Sequence, residues 1–154
     1  MKNWSLAPLA GLGSAALLGG ALYFQFVVGL APCDLCIEQR WPHLAAVIIG
    51  LLVLFFPNRW LMALGALAAA TSGALGVYHT GVERGWWEGP TACSGTADIS
   101  SLSPSDALDA IMAAPVVRCT DVAWELLGLS MASWNAILSF ALAALWIVAM
   151  RRAR

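Results

Sequence analysis

The sequence predicts an all-α membrane protein: a four-transmembrane-helix bundle with a long loop between its third and fourth spans. Three observations predict it. The 154-residue chain is 60% hydrophobic and only 11% charged, whereas a soluble domain is about 45–50% apolar and about 25% charged. The apolar residues gather into four spans, at about residues 6–30, 36–56, 60–79 and 127–150, and a bilayer-crossing helix needs roughly 20 such residues. The charged residues are sorted by side, as shown below. The length fits a single membrane domain over residues 1–154. A net charge of −1 gives no reason to expect nucleic acid as a partner.

The first span is interrupted only by Ser14 and Gln25. Lys2 gives it a basic start, but its apolar core is too long for a signal peptide, and "LYFQFVVGLAP" lacks a small-x-small cleavage site. It is expected to be a retained helix. The second span is continuously apolar only over about residues 41–56. It reaches full length if its helix starts near Cys36, which places Glu38, Gln39 and Arg40 in the first turns. Pro42 is then near the start, where a missing N–H costs least. The third span ends at His79 and the fourth begins at about residue 127.

Small residues recur four apart, as Gly11, Ala15 and Gly19 and as Gly65, Ala69 and Gly73. Such ridges let helices approach closely, and packing within one bundle is expected over a dimer seam. Trp4, Trp41, Trp60, Trp86, Trp87, Trp124 and Trp146 all fall near a span end, where amphipathic rings are favoured.

Lys2, Arg59, Arg151, Arg152 and Arg154 share one side of a four-span topology with no acid. The opposite side holds Arg40, Arg84, Arg118 and every Asp and Glu. The positive-inside rule then puts the N-terminus, the 57–59 turn and the C-terminus in the cytoplasm. The loops at about 31–40 and 80–126 lie outside, with all four cysteines. In the second loop, "SPSDALDAIMAAP" reads as a short helix. Ser103 or Ser105 caps it, Asp106 and Asp109 suit its first turns, and Pro115 ends it. Leu102, Leu108, Ile111 and Met112 supply an apolar side, suited to the membrane surface or to the bundle.

Cys33 and Cys36 lie in the first outer loop, and Cys93 and Cys119 in the second. An even number of cysteines on an oxidising side argues for disulfides. Of the three connectivities, adjacency favours Cys33–Cys36 with Cys93–Cys119. A bridge across two intervening residues closes too small a loop to restrain the unfolded chain much, so Cys33–Cys36 points to redox exchange. The Cys93–Cys119 bridge is equally consistent with a staple. No metal is expected, because Cys93 and Cys119 lack the second knuckle spacing of a four-cysteine zinc site.

A helix starting near Cys36 gives that thiol a helix dipole, which favours the thiolate. Arg40 lies at i+4 on the same face and adds a permanent positive charge. As an interfacial anchor alone, Arg40 would only snorkel. Beside a Cys-x-x-Cys pair, it reads as part of a site. His79 ends the third span on the same side and can donate to an acceptor oxygen or simply cap the helix. His43 lies one turn below Arg40 in a supporting position.

Taken together, these residues resemble the bacterial disulfide bond formation protein B (DsbB) family of quinone-dependent inner-membrane thiol oxidases. "PCDLCIEQR" is similar to the family's first-loop motif, and "CTDVAWELLGLSMASWN" to the stretch from its last cysteine into helix four. Gln39 departs from the acidic residue that some members carry before the arginine. The resemblance covers nearly the whole chain, and it implies a course of electrons. A reduced DsbA-like periplasmic thiol oxidase attacks Cys93 and releases Cys119. Cys119 attacks Cys33 and frees Cys36 beside Arg40, and Cys36 reduces a ubiquinone-type quinone. Arg40 and His79 are implied to polarise the quinone oxygens, and Met131 matches a family position lining the same pocket. Two other readings stand beside this one. A vitamin K epoxide reductase-like enzyme carries its quinone-facing Cys-x-x-Cys in a later helix. A non-enzymatic membrane scaffold would hold two structural disulfides.

Overall fold

The computed structural model describes residues 5–90, 103–113 and 117–153. Helix α1 spans Leu6–Phe26, α2 Asp34–Glu38, α3 Arg40–Phe55 and α4 Arg59–Glu83. A surface helix α5 covers Pro104–Ala113, two short strands β1 and β2 cover Glu125–Leu126 and Leu129–Ser130, and α6 spans Met131–Arg152. With α2 and α3 taken as one 22-residue span, Asp34–Phe55, four helices are long and apolar enough to cross a bilayer. They form one four-helix bundle.

The helix ends follow local chemistry. The chain leaves α1 earlier than its apolar pattern suggests, because Gly29 at φ +84° turns the backbone. The second span begins at Asp34, ahead of the expected start at Cys36, with Cys33 as its N-cap. Pro42 is therefore well inside the span rather than in its first turn. Proline cannot donate to the Glu38 carbonyl, and its ring crowds that oxygen. The helix breaks at Gln39 as a result. Asn58 caps α4 by accepting from the Trp60 N–H at 2.8 Å. That helix runs one turn past His79, which is buried rather than terminal. Beyond it, Gly85 at φ +68° reverses the chain, and Trp87 folds back to stack on Tyr78, with ring centroids 6.0 Å apart.

Pro104 takes the first position of α5, where its missing N–H is harmless. The Asp106 N–H donates to the Ser103 hydroxyl at 3.3 Å, making Ser103 the cap. Leu108 and Met112 are exposed on this helix. Pro115, Leu102 and the Ile111 side chain lie outside the described residues. The fourth span begins later than residue 127, because Leu127 and Gly128 form a hairpin turn between β1 and β2. Both have positive φ, 54° and 76°, as a two-residue type I′ turn requires. Ser130 then caps α6 by accepting from the Ser133 N–H at 3.2 Å.

Small residues set the helix separations. A Cβ added at Gly11 would stand 2.9 Å from the Gly50 Cα, so α1 and α3 touch backbone to backbone. Along α4, a Cβ at Gly65 would meet the Trp146 ring at 2.7 Å, one at Gly73 the Phe140 ring at 3.1 Å, and one at Gly76 the Ala132 carbonyl at 3.0 Å. The ridge expected from Gly65, Ala69 and Gly73 is thus the seam between α4 and α6. A Cβ added at Gly19 would meet nothing within 4 Å. Trp146 is not an interfacial ring: it is fully buried in a cluster with Ala7, Val53, Met62 and Ala69. A second cluster, at the other end of the bundle, joins Cys33, Leu35, Val82 and Cys119. Leu12, Leu51, Leu64 and Leu67 face outward, as lipid-facing residues do.

Gly65→Val should destabilise the bundle by about 1–3 kcal/mol through overpacking, read as a lower thermal midpoint in detergent. An unchanged midpoint would mean that α4 and α6 do not meet at Trp146.

Candidate active site

The break at Gln39 brings the first cysteine pair into the end of the bundle. Cys33, just before α2, accepts from the Cys36 N–H at 3.3 Å. The two Sγ atoms lie 2.7 Å apart. The expected Cys33–Cys36 bridge is open, and both residues are free thiols. A closed bridge needs about 2.05 Å between sulfurs; here the sulfurs share a hydrogen instead. That shared hydrogen, together with burial, pushes the Cys33 thiol above its ordinary value. Cys119 is buried and disulfide-bonded. Cys93, its expected partner, lies outside the described residues.

His79 links the two pairs. Its Nε2 lies 3.6 Å from Cys33 Sγ, and its ring also engages the Cys119 backbone. One ligating atom each from Cys33, His79 and Cys119 fall within 4.8 Å of one another. These atoms make a poor metal site, because a disulfide sulfur is not a thiolate and only two donors remain of the four that structural zinc takes. They make a good exchange site, since the sulfur of one pair stands against the sulfur of the other.

Arg40 is the first residue of α3 and donates through Nη1 to Gln25 Oε1 on α1. Its Nε is buried without a hydrogen-bond partner. A cavity of about 420 Å³ opens beside it, lined by Cys33, Cys36, Arg40, His79 and Met131. Leu17, Gly20, Ala21 and Phe24 of α1 form an apolar wall. Trp124 packs on Phe24 with ring centroids 5.2 Å apart and closes one side. Cys33, Cys36, Arg40, His79 and Met131, all candidate site residues from sequence, therefore line one cavity.

A set of polar side chains buried below the cysteines was not singled out as a site from sequence. Gln39 Nε2 donates to the Leu35 carbonyl at 2.8 Å and to His79 Nδ1 at 2.9 Å. Asn135 Nδ2 donates to Gln39 Oε1 at 2.8 Å. Asn135 Oδ1 lies 2.9 Å from His43 Nε2, and Ser139 Oγ donates to it at 3.3 Å. Ser72 Oγ donates to the Gln39 carbonyl at 3.0 Å. Glu83 Oε1 lies 3.9 Å from His79 Nε2, and Ser130 donates to the other Glu83 oxygen. The available signal was each polar residue inside an apolar span, since such residues rarely face lipid.

The family model for disulfide bond formation protein DsbB matches residues 3–149. The chain belongs to the DsbB family. It is 35% identical to disulfide bond formation protein B of Verminephrobacter eiseniae over 150 residues, covering 92% of this chain and 82% of that protein. It is also 35% identical to the protein of the same name from Pasteurella multocida over 130 residues, covering 81% and 73%. No solved structure matches it. As a DsbB-family protein, the chain is a multi-pass membrane protein of disulfide bond formation, a family of disulfide oxidoreductases. The DsbB match and the position of the Cys-x-x-Cys, at the start of the second span, separate it from the vitamin K epoxide reductase-like reading.

In the reduced pair, Cys36 should alkylate ahead of Cys33, which is 5% exposed and held protonated. One unit of thiol pKa changes the thiolate fraction about tenfold. Mapping alkylated peptides at pH 7–8 should therefore show Cys33 slower by about tenfold or more. Equal rates would remove the shared hydrogen from the account.

Proposed function

We propose that this DsbB-family protein re-oxidises a reduced DsbA-like thiol oxidase at the periplasmic face of the bacterial inner membrane and passes the electrons to quinone. The observation that carries this reading is the approach of Cys119 and Cys33 within 4.8 Å, at a cavity lined by Cys36 and Arg40. The orientation follows from five cations without acids on the opposite side of the bundle.

The partner's thiolate attacks Cys93 Sγ, and the electron pair of the Cys93–Cys119 bond leaves on Cys119. Cys119 then attacks Cys33 Sγ of an oxidised Cys33–Cys36 pair and displaces Cys36 as a thiolate. The partner's second thiol attacks its own sulfur bound to Cys93, forms the partner's disulfide and releases Cys93. Cys93 attacks Cys119, restores their bridge and releases Cys33. The state described above, with Cys119 bridged and Cys33 and Cys36 as thiols, corresponds to the end of this sequence.

Quinone, when bound, supplies an acceptor of two electrons and two protons for that dithiol. The residues present fit it. The cavity volume lies within the ordinary range for small-molecule sites, and its α1 wall is apolar, as a quinone ring and tail require. The unpartnered Arg40 Nε–H is a buried donor lacking an acceptor, and a carbonyl oxygen is one. Gln25 holds the guanidinium from its far side. Met131 packs on the cavity beside Arg40 and His79. The need for such an acceptor is thermodynamic: oxidising a dithiol whose disulfide is itself a strong oxidant takes an acceptor of still higher potential.

Arg40→Ala should raise the apparent KM for quinone about ten- to a hundredfold, the equivalent of one hydrogen bond to a charged group at about 1.5–3 kcal/mol. Steady-state kinetics against ubiquinone concentration test it, and an unchanged KM would reduce Arg40 to an interfacial anchor. After reduction, a membrane-impermeant thiol reagent should reach Cys93 in intact spheroplasts. Labelling only after the membrane is opened would reverse the orientation.

A further inference from the structure

Gln39 stands directly before Arg40, and the proposed electron course gives it no part. Its hydrogen bonds fix its orientation twice over. The Leu35 carbonyl offers only lone pairs, so the amide must turn its NH₂ group that way. The Asn135 NH₂ offers only hydrogens, so the amide must turn Oε1 towards it. The NH₂ group held in this way is the one facing His79 Nδ1 at 2.9 Å. That ring nitrogen must accept. Both the Nδ1–H tautomer and the doubly protonated ring would set hydrogen against hydrogen. The ring's hydrogen therefore stands on Nε2, the atom 3.6 Å from Cys33 Sγ.

We propose that Gln39 is a positioning residue that locks His79 as a neutral ring with its one hydrogen on Nε2, on the side where the ring meets both the Cys119 backbone and the Cys33 sulfur and where the two cysteine pairs exchange. The step it serves is the release of Cys33. As Cys93 attacks Cys119, the Cys33–Cys119 bond breaks, the Cys93–Cys119 bond forms, and the electron pair moves onto Cys33 Sγ. A fixed N–H beside that sulfur stabilises it as a leaving group, and a better-stabilised thiolate leaves faster. A ring in the other tautomer would present a lone pair to the developing charge and oppose it. Gln39 acts only through His79. Both its N–H donors are used within the bundle, which leaves none for a bound ligand. The kinetic part of this inference rests on the proposed electron course, and the tautomer does not.

The chain has two histidines, so ring nitrogens in ¹⁵N-histidine NMR of the detergent-solubilised protein can be assigned by loss of signal in His79→Gln. In the wild type, His79 should show a hydrogen-bearing Nε2 and a bare Nδ1 at neutral pH. In Gln39→Glu, a carboxylate faces Nδ1, and that nitrogen should gain a hydrogen. Gln39→Met keeps the length but loses the donor. It should slow electron transfer between the cysteine pairs about tenfold, the value of one such hydrogen bond. A wild-type ring with its hydrogen on Nδ1 overturns the inference, as does wild-type transfer in Gln39→Met. The assigned tautomer in a wild-type protein that moves no electrons between its pairs overturns the proposed function, and the kinetic role of Gln39 with it.

Discussion

One carboxamide holds the working end of this bundle in register. Gln39 bonds to its own span through Leu35, to α4 through His79 and to α6 through Asn135. In hydrocarbon a buried polar group has no water to fall back on, so a polar network is stabilising only when its members are satisfied together. Sliding α3 by one turn against α4 or α6 would strand both amides. The glycine contacts fix how closely the helices approach, but an apolar seam tolerates small slips; the Gln39 and Asn135 bonds do not. The proximity of Cys33 to Cys119 depends on that register, because His79 reaches both from α4.

The cavity depends on the same break in the chain. Pro42 interrupts the second span, and the residue at the interruption is Gln39 itself. The break lets α2 carry Cys33 and Cys36 over the top of the bundle while α3 carries Arg40 and His43 down its side. Arg40 is then held between α1, through Gln25, and the cavity. Its Nε is buried without a hydrogen-bond partner. A charge in such a place is costly.

Much of this was legible in the sequence. Four apolar spans, the Cys-x-x-Cys, Arg40 one turn later and His79 at the matching depth of the third span all carry local signals, and the structure gathers them at one cavity. Other features depended on what another helix presents. Trp146 reads as an interfacial ring until Gly65 is seen to leave it a socket. Residues 127–130 read as helix by hydropathy, but Leu127 takes a positive φ because the hairpin must turn there. The helix start near Cys36 was misplaced because apolarity marks where a span is greasy, whereas capping marks where it begins. Gln39 was visible only as a departure from an acidic position. Its role needed Asn135, 96 residues away, and no spacing rule joins the two.

The cap on α2 has one further consequence. Sulfur is a weaker acceptor than the hydroxyl or carboxylate oxygens that usually begin helices, and the cap it forms begins a helix of only five residues. The C-terminal end is tied to the bundle through Leu35 and Gln39, which leaves the sulfur-capped end as the weaker one. Local opening draws on weakly capped helix ends, so the first turn of α2 opens more easily than its last. Cys33 and Cys36 flank that first turn, while the amides beneath them hold the rest of the helix in place.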